Sequence, residues 1–220
     1  MRRRHYAVFL VVFKLAGCSS STEKPLARDL AFQCAVETAL VNSTEKVTSG
    51  IAMQRDELEN LPHAIGAARK FTLDRDGRIT SLGALLTRVK DPKGKLVMQL
   101  FSVDGSFPAT HPIAETVEHP AQEVPIELIR GQEYFEFEFP HPYPALSAGK
   151  DIFAVLSLSA KDNATSSAIV WQSVPNNSTV TDSALDMPNR VFYESYSGDW
   201  KDYPTMDGFT LGVEVKRCAR

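Results

Sequence analysis

YFEFEF, residues 134–139, is the stretch on which the reading of the fold turns. Phe135, Phe137 and Phe139 alternate with Glu136 and Glu138. A period of two sets three rings on one side of an extended strand and two carboxylates on the other. Burying three phenylalanine side chains contributes several kcal/mol at about 25 cal/mol per Å² of apolar surface. The ring face is therefore predicted inward and the glutamates toward solvent. Prolines from Pro140 to Pro144 end the strand.

Working toward the N-terminus, Ile126 to Ile129 reads as a short strand, and 105–125, broken by Pro108, Pro112, Pro120 and Pro125, as a loop. Leu96 to Val103 is apolar almost throughout, as expected where both faces of a strand are covered. Ile79 to Val89 is apolar and extended, between turn sequences at Asp74–Gly77 and Asp91–Gly94. Gln54 to Leu61 suits a helical turn. Leu30, Phe32, Cys34, Val36 and Leu40 favour a strand with one buried face, although the interleaved alanines also permit a helix. Toward the C-terminus, Ile152–Leu158, Ile169–Val174 with Trp171 in the core, Val191–Tyr196 and Phe209–Val215 read as strands. The set amounts to about eight to ten strands with short turns and little helix. Each sheet must bury a face, so the expectation is all-β, an antiparallel β-sandwich. A chain of 220 residues supports one core of this kind.

Charge excludes some functions. The net charge is −3, with 24 basic and 27 acidic residues interleaved, so there is no concentrated basic face for nucleic acid. No Gly-x-Ser-x-Gly elbow, Cys–His pairing or glycine-rich phosphate loop occurs, and the predicted protein is not an enzyme. Paired carboxylates such as Glu136 and Glu138 fall on the solvent face of their strand, not across a cleft. His111, His119 and His141 each precede a proline, which holds them extended. With Glu115 and Glu118 they match no zinc-ligand spacing and read as exposed loop histidines.

Arg2–Arg4 and the apolar run Tyr6–Phe13 have the layout of a secretory signal, too short for a membrane span. Leu15-Ala16-Gly17-Cys18 resembles a bacterial lipobox, with Lys14 as the one departure. The resemblance implies a signal peptide over 1–17, a fatty-acylated Cys18 as the first mature residue, and a membrane partner through that lipid. Two or more acyl chains hold firmly where one does not. Ser19 after the cysteine implies, on the same resemblance, the outer membrane of a cell envelope. Residues 18–29 read as the lipidated residue and a polar linker, and 30–218 as a single domain. In an oxidising compartment Cys34 and Cys218 invite a disulfide, the alternative being two buried thiols.

Three segments resemble jelly-roll modules of bacterial secreted and surface proteins. They are Phe71-Thr72-Leu73 with Ile79–Leu82; Leu146-Ser147-Ala148-Gly149 with Phe153–Ser157; and Phe192–Trp200 with Phe209–Val215. The resemblance spans about 68–216 and departs at Arg69-Lys70 and at Ser197-Gly198-Asp199. It implies a jelly-roll-like sandwich and a non-catalytic role. The densest aromatic and acidic cluster is Tyr193, Tyr196, Asp199, Trp200, Asp202 and Tyr203. Flat rings suit the apolar face of a sugar and carboxylates its hydroxyls, so this is the candidate site for a glycan. The alternative is aromatic packing under the last hairpin. Calcium at Asp199 and Asp202 is a further reading, since hard cations take several oxygens. A glycan-binding or protein-binding envelope module leads, ahead of a structural subunit and then a hydrolase.

Overall fold

In the computed structural model, the compact unit runs from Cys34 to Arg220. The structure describes residues 34–41, 50–53, 66–126, 134–159, 167–175, 191–194, 200–202 and 209–218. Among these the fold is all-β. The first strands are β1 (Val36–Val41), β2 (Gly50–Met53), β3 (Gly66–Thr72), β4 (Gly77–Ala84) and β5 (Leu86–Val89). Next come β6 (Lys95–Asp104), β7 (Phe107–Glu115), β8 (His119–Pro120), a 3-10 turn at Ala121–Glu123, β9 (Phe135–Glu138) and β10 (Ala145–Leu146). The chain continues through β11 (Asp151–Ser159), β12 (Ala168–Pro175), β13 (Val191–Glu194), β14 (Trp200–Asp202), β15 (Phe209–Leu211) and β16 (Val213–Cys218).

Every pairing is antiparallel. One sheet has the order β1-β16-β4-β10, with β9 also on β4; a second runs β14-β13-β3-β11-β6-β7, with β8 also on β6. The third is β15-β12-β2, with β5 also on β12. The first and third are joined at a fork. Strands β4 and β16 lie side by side as far as Ala84 and Val213, then part. Beyond that point β12 takes both as neighbours, pairing Ala168–Trp171 with β5 and Ser173–Pro175 with β15.

At the fork three backbones bond in a ring. The Leu85 amide donates to the Gly212 carbonyl at 3.2 Å, Gly212 to Gln172 at 2.9 Å, and Gln172 to Leu85 at 2.8 Å. Trp171 is fully buried, and its indole Nε1 donates to the Gly212 carbonyl at 2.8 Å, so its one polar atom is satisfied. Three strands thus change partners without orphaning a backbone group, which in a buried position would cost about 1–3 kcal/mol.

A single core lies between the sheets. It takes Leu82, Phe137, Val213 and Val215 from the first, Phe71, Met98, Leu100 and Leu156 from the second, and Ile51, Leu86, Ile169 and Trp171 from the third. Arg69 sits in the inward register between Ala67 and Phe71 and is 4% exposed. Its Nη1 reaches across to the Leu211 carbonyl at 2.6 Å, a polar tie between the layers. On one side the sandwich-like stack is closed by backbone: the Thr116 amide bonds Met98 of β6, and the next amide, Val117, bonds Glu138 of β9.

The YFEFEF alternation is as read: Phe137 and Phe139 are buried, Phe135 packs partly buried against the core, and Glu136 and Glu138 are exposed. Leu96 to Val103 is covered on both faces where expected: Leu96, Met98 and Leu100 enter the main core and Phe101 a second cluster. Three readings need correction. Residues 107–115 form a strand, not a loop; Pro108 and Pro112 are tolerated because β7 ends its sheet's order, where a missing N–H costs little. Val36 is 55% exposed, because a bulge between Thr38 and Leu40 resets the alternation that buries Leu40. Ile126, expected to open a short strand, is an exposed bend residue outside any strand. The readings of Leu30, Phe32 and Gln54–Leu61 lie outside the described residues.

Candidate functional site

The aromatic and acidic cluster is described only in part. Strands β13 and β14 pair with Glu194 opposite Trp200 and Phe192 opposite Asp202, which places Tyr193 and Asp202 on the backbone of one hairpin. That hairpin joins the seven-stranded sheet through β3, with Tyr193 opposite Ala67. The Trp200 ring is half-buried and packs on a second cluster, Ala68, Phe101, Phe153 and Val155, on the sheet face turned away from the main core. The tryptophan therefore does packing work, with part of its surface still exposed. Tyr196, Asp199 and Tyr203 lie outside the described residues, as do the side chains of Tyr193 and Asp202. The reading of calcium at Asp199 and Asp202 lies outside them too.

A second concentration of polar chemistry, which the sequence reading missed, surrounds the disulfide. Cys34 and Cys218 are bonded, with an S–S distance of 2.00 Å, joining the residues before β1 to the end of β16. Beside them is a cleft of about 360 Å³ lined by Glu37, Asp74, Arg75, Asp76, Ala148, Arg217 and Cys218. Its walls come from β1, β16 and two turns. The turns are Asp74–Gly77 and Ser147–Gly149. They clasp each other: Gly149 N donates to the Leu73 carbonyl at 3.0 Å, and Ala148 N to Asp76 Oδ1 at 2.8 Å.

Arg217 is the hub of this cleft. It continues the inward parity of Val213 and Val215, and its side chain is only 3% exposed. Its Nε donates to Glu37 Oε1 at 2.7 Å and its Nη1 to Asp74 Oδ1 at 2.7 Å and to the Arg75 carbonyl at 3.2 Å. Arg75 Nη2 also reaches Glu37 Oε1, at 2.6 Å. The hydrogen bond from Arg217, with its charge and that of Arg75, holds the Asp74 carboxyl below the ordinary range despite some opposing desolvation. Burial pushes the Arg217 guanidinium down, but the bonds to Asp74 and Glu37 outweigh it and leave the group raised. Both shifts favour charge on Asp74 and Arg217, and the network cross-links three chain segments. An arginine in the apolar register was the one signal of it in the sequence.

Two further ion pairs brace the sheet surfaces. Glu136 accepts from the Ser81 hydroxyl and from Lys216 Nζ at 3.0 Å; burial raises its carboxyl, but those bonds win and lower it. Asp151 is lowered by hydrogen bonds from Lys70 and Thr72, against a smaller desolvation. Among the described residues no group of three or more His, Cys, Asp or Glu side chains is arranged to hold a metal ion. The histidines need partial correction. His111 and His119 lie in β7 and β8, not in loops. His119 is half-buried, edge-on to Phe135 and Phe137 at 5.3 and 5.4 Å, with Nδ1 at 3.2 Å from Glu123. His141 is exposed and stacks with Tyr143 at 4.0 Å.

Compared with known protein families, with characterised proteins and with solved structures, the chain matches none of them.

Proposed function

We propose that this chain is an envelope lipoprotein, tethered through an acylated Cys18, whose jelly-roll-like sandwich is a non-catalytic binding module for a glycan or a protein. The observation that carries the reading is Leu15-Ala16-Gly17-Cys18 behind the basic and apolar leader. The Cys34–Cys218 disulfide supports export, because such bonds persist in oxidising compartments. The polar stretch after Cys18 serves as spacer between lipid and domain. Ser19 supports the outer membrane as the destination.

The ligand surface on this reading is the β13–β14 hairpin, with Trp200 as its aromatic platform. A structural subunit of an envelope assembly is the second reading, favoured by the packing of Trp200 on Phe101, Phe153 and Val155. Two experiments on the full chain test the proposal. Radiolabelled palmitate is expected in the parent and absent from Cys18→Ala, with loss of membrane association; equal membrane retention of the variant refutes the anchor. On a glycan array, saturable binding lost in Trp200→Ala supports sugar recognition. Silence on the array together with a stoichiometric protein partner moves the assignment to the structural subunit.

A further inference from the structure

One of the strands least embedded in the core is the one that is covalently stapled. Strand β1 sends one well-buried side chain, Leu40 at 4% exposure, into the core, and its first residue, Val36, is 55% exposed. Among the described residues β1 pairs with β16 alone, through a ladder interrupted by the bulge between Thr38 and Leu40. Its remaining holds are Ala39, partly buried against the core, and Glu37, gripped by Arg217 and Arg75. Strand β16 differs: it lies between β1 and β4 and places Val213 and Val215 in the core. The disulfide ties Cys34, two residues before β1, to Cys218, the β16 residue opposite Val36.

Stability is not uniform across a fold, and segments with few buried apolar contacts open at low free energy. A cross-link suppresses such opening by removing freedom from the separated state. We propose that the Cys34–Cys218 bond is a redox-sensitive latch on β1: breaking it releases Val36–Val41 from the sheet while the rest of the sandwich stays folded. The inference goes beyond the proposed function and does not depend on acylation of Cys18.

The opening step requires a dithiol reductant. Its thiolate attacks the sulfur of Cys34, the more exposed partner, since Cys218 is 6% exposed. A mixed disulfide forms, the Cys34–Cys218 bond breaks, and Cys218 leaves as a thiolate that takes up a proton. The second thiol of the reductant then displaces Cys34, which is protonated in turn. The protein gains two electrons and two protons, and the dithiol ends as a disulfide.

Hydrogen exchange read by mass spectrometry on the full chain tests this, with the oxidised protein beside protein reduced with dithiothreitol and alkylated. The expected result is loss of protection over Val36–Val41 on reduction, with protection retained in β6 and β11. Unchanged protection of Val36–Val41 overturns the proposal. Joint loss in β1, β6 and β11 overturns it equally, since the bond would then hold the whole unit. The Cys34→Ser, Cys218→Ser double variant, made without reductant, is expected to reproduce the selective pattern; failure of that variant to fold also overturns it.

Discussion

Replacing Gly212 by alanine tests the strand fork. A Cβ at this position would lie 2.5 Å from Leu85 Cδ1, 2.9 Å from its Cγ and 3.2 Å from its Cβ. Leu85 is 1% exposed, so its side chain has no open space to turn into, and both backbones are fixed by the three-way ring of hydrogen bonds. Overpacking of this kind costs about 1–3 kcal/mol. Gly212 is not among the glycines with positive φ, so alanine recovers about 0.4–1 kcal/mol through the unfolded chain. The balance is a loss of about 1.5 kcal/mol. For a unit of this size that corresponds to a fall of about 3–6 °C in Tm. Urea unfolding followed by tryptophan fluorescence should show a lower midpoint at unchanged slope. The companion Leu85→Ala alone should cost about 2–5 kcal/mol. Combined with Gly212→Ala it should cost less than the sum, by about 1–2 kcal/mol, because the new methyl occupies space the leucine vacated. A Gly212→Ala midpoint equal to or above the parent's, or strict additivity in the double variant, would refute the packing account of the fork.

Thr80 lies at the bulge in β4, and its hydroxyl is buried without a hydrogen-bond partner. Thr80→Val should therefore leave thermal stability unchanged or raise it by up to about 1 kcal/mol; a loss above that would reveal a partner for the hydroxyl. Asp74, Glu136 and Asp151 all have lowered pKa values, so their stabilisation is complete above the unfolded values and lost as pH falls through the lower folded ones. Lys216 and Arg217 are raised, so theirs is complete below the unfolded values and lost only as alkaline pH passes through the higher folded ones. From these groups, urea midpoints should be level between about pH 5 and 9 and decline below about pH 4. Arg217→Met should cost about 1–3 kcal/mol at neutral pH and make the acid decline shallower, since Asp74 loses the partner that lowers it. An acid limb of unchanged slope would contradict the assignment of Asp74.

Sequence patterning located several strands: Phe135 to Phe139 by strict alternation, and Leu96 to Val103 and Ile152 to Leu158 by runs that are apolar almost throughout. It did not reveal where strands exchange partners. Ile79 to Val89 reads as one strand, but the Leu85 break makes it two, and the residues from Ser81 to Thr87 are all buried, so no pattern change marks the fork. Residues 107–115 hid because an edge strand tolerates prolines that a central strand rejects. Arg69 and Arg217 escaped the sequence reading for a common reason: a guanidinium counts as polar in any pattern, whereas each is buried where distant acceptors can satisfy it. Leu211 lies 142 residues from Arg69 and Glu37 lies 180 from Arg217, separations no local window spans. The cysteine pair was legible from export logic alone. Of the aromatic cluster, Trp200 packs on Phe101, Phe153 and Val155 with part of its surface exposed, and most of the remainder lies outside the described residues.

The Cα atoms of residues 34 and 218 are 5.2 Å apart. The first and last described residues of the sandwich thus lie side by side. Such a unit can be spliced into a surface turn of an unrelated host protein without prising that turn open. It would hang there as a pendant whose two junctions the host already brings together.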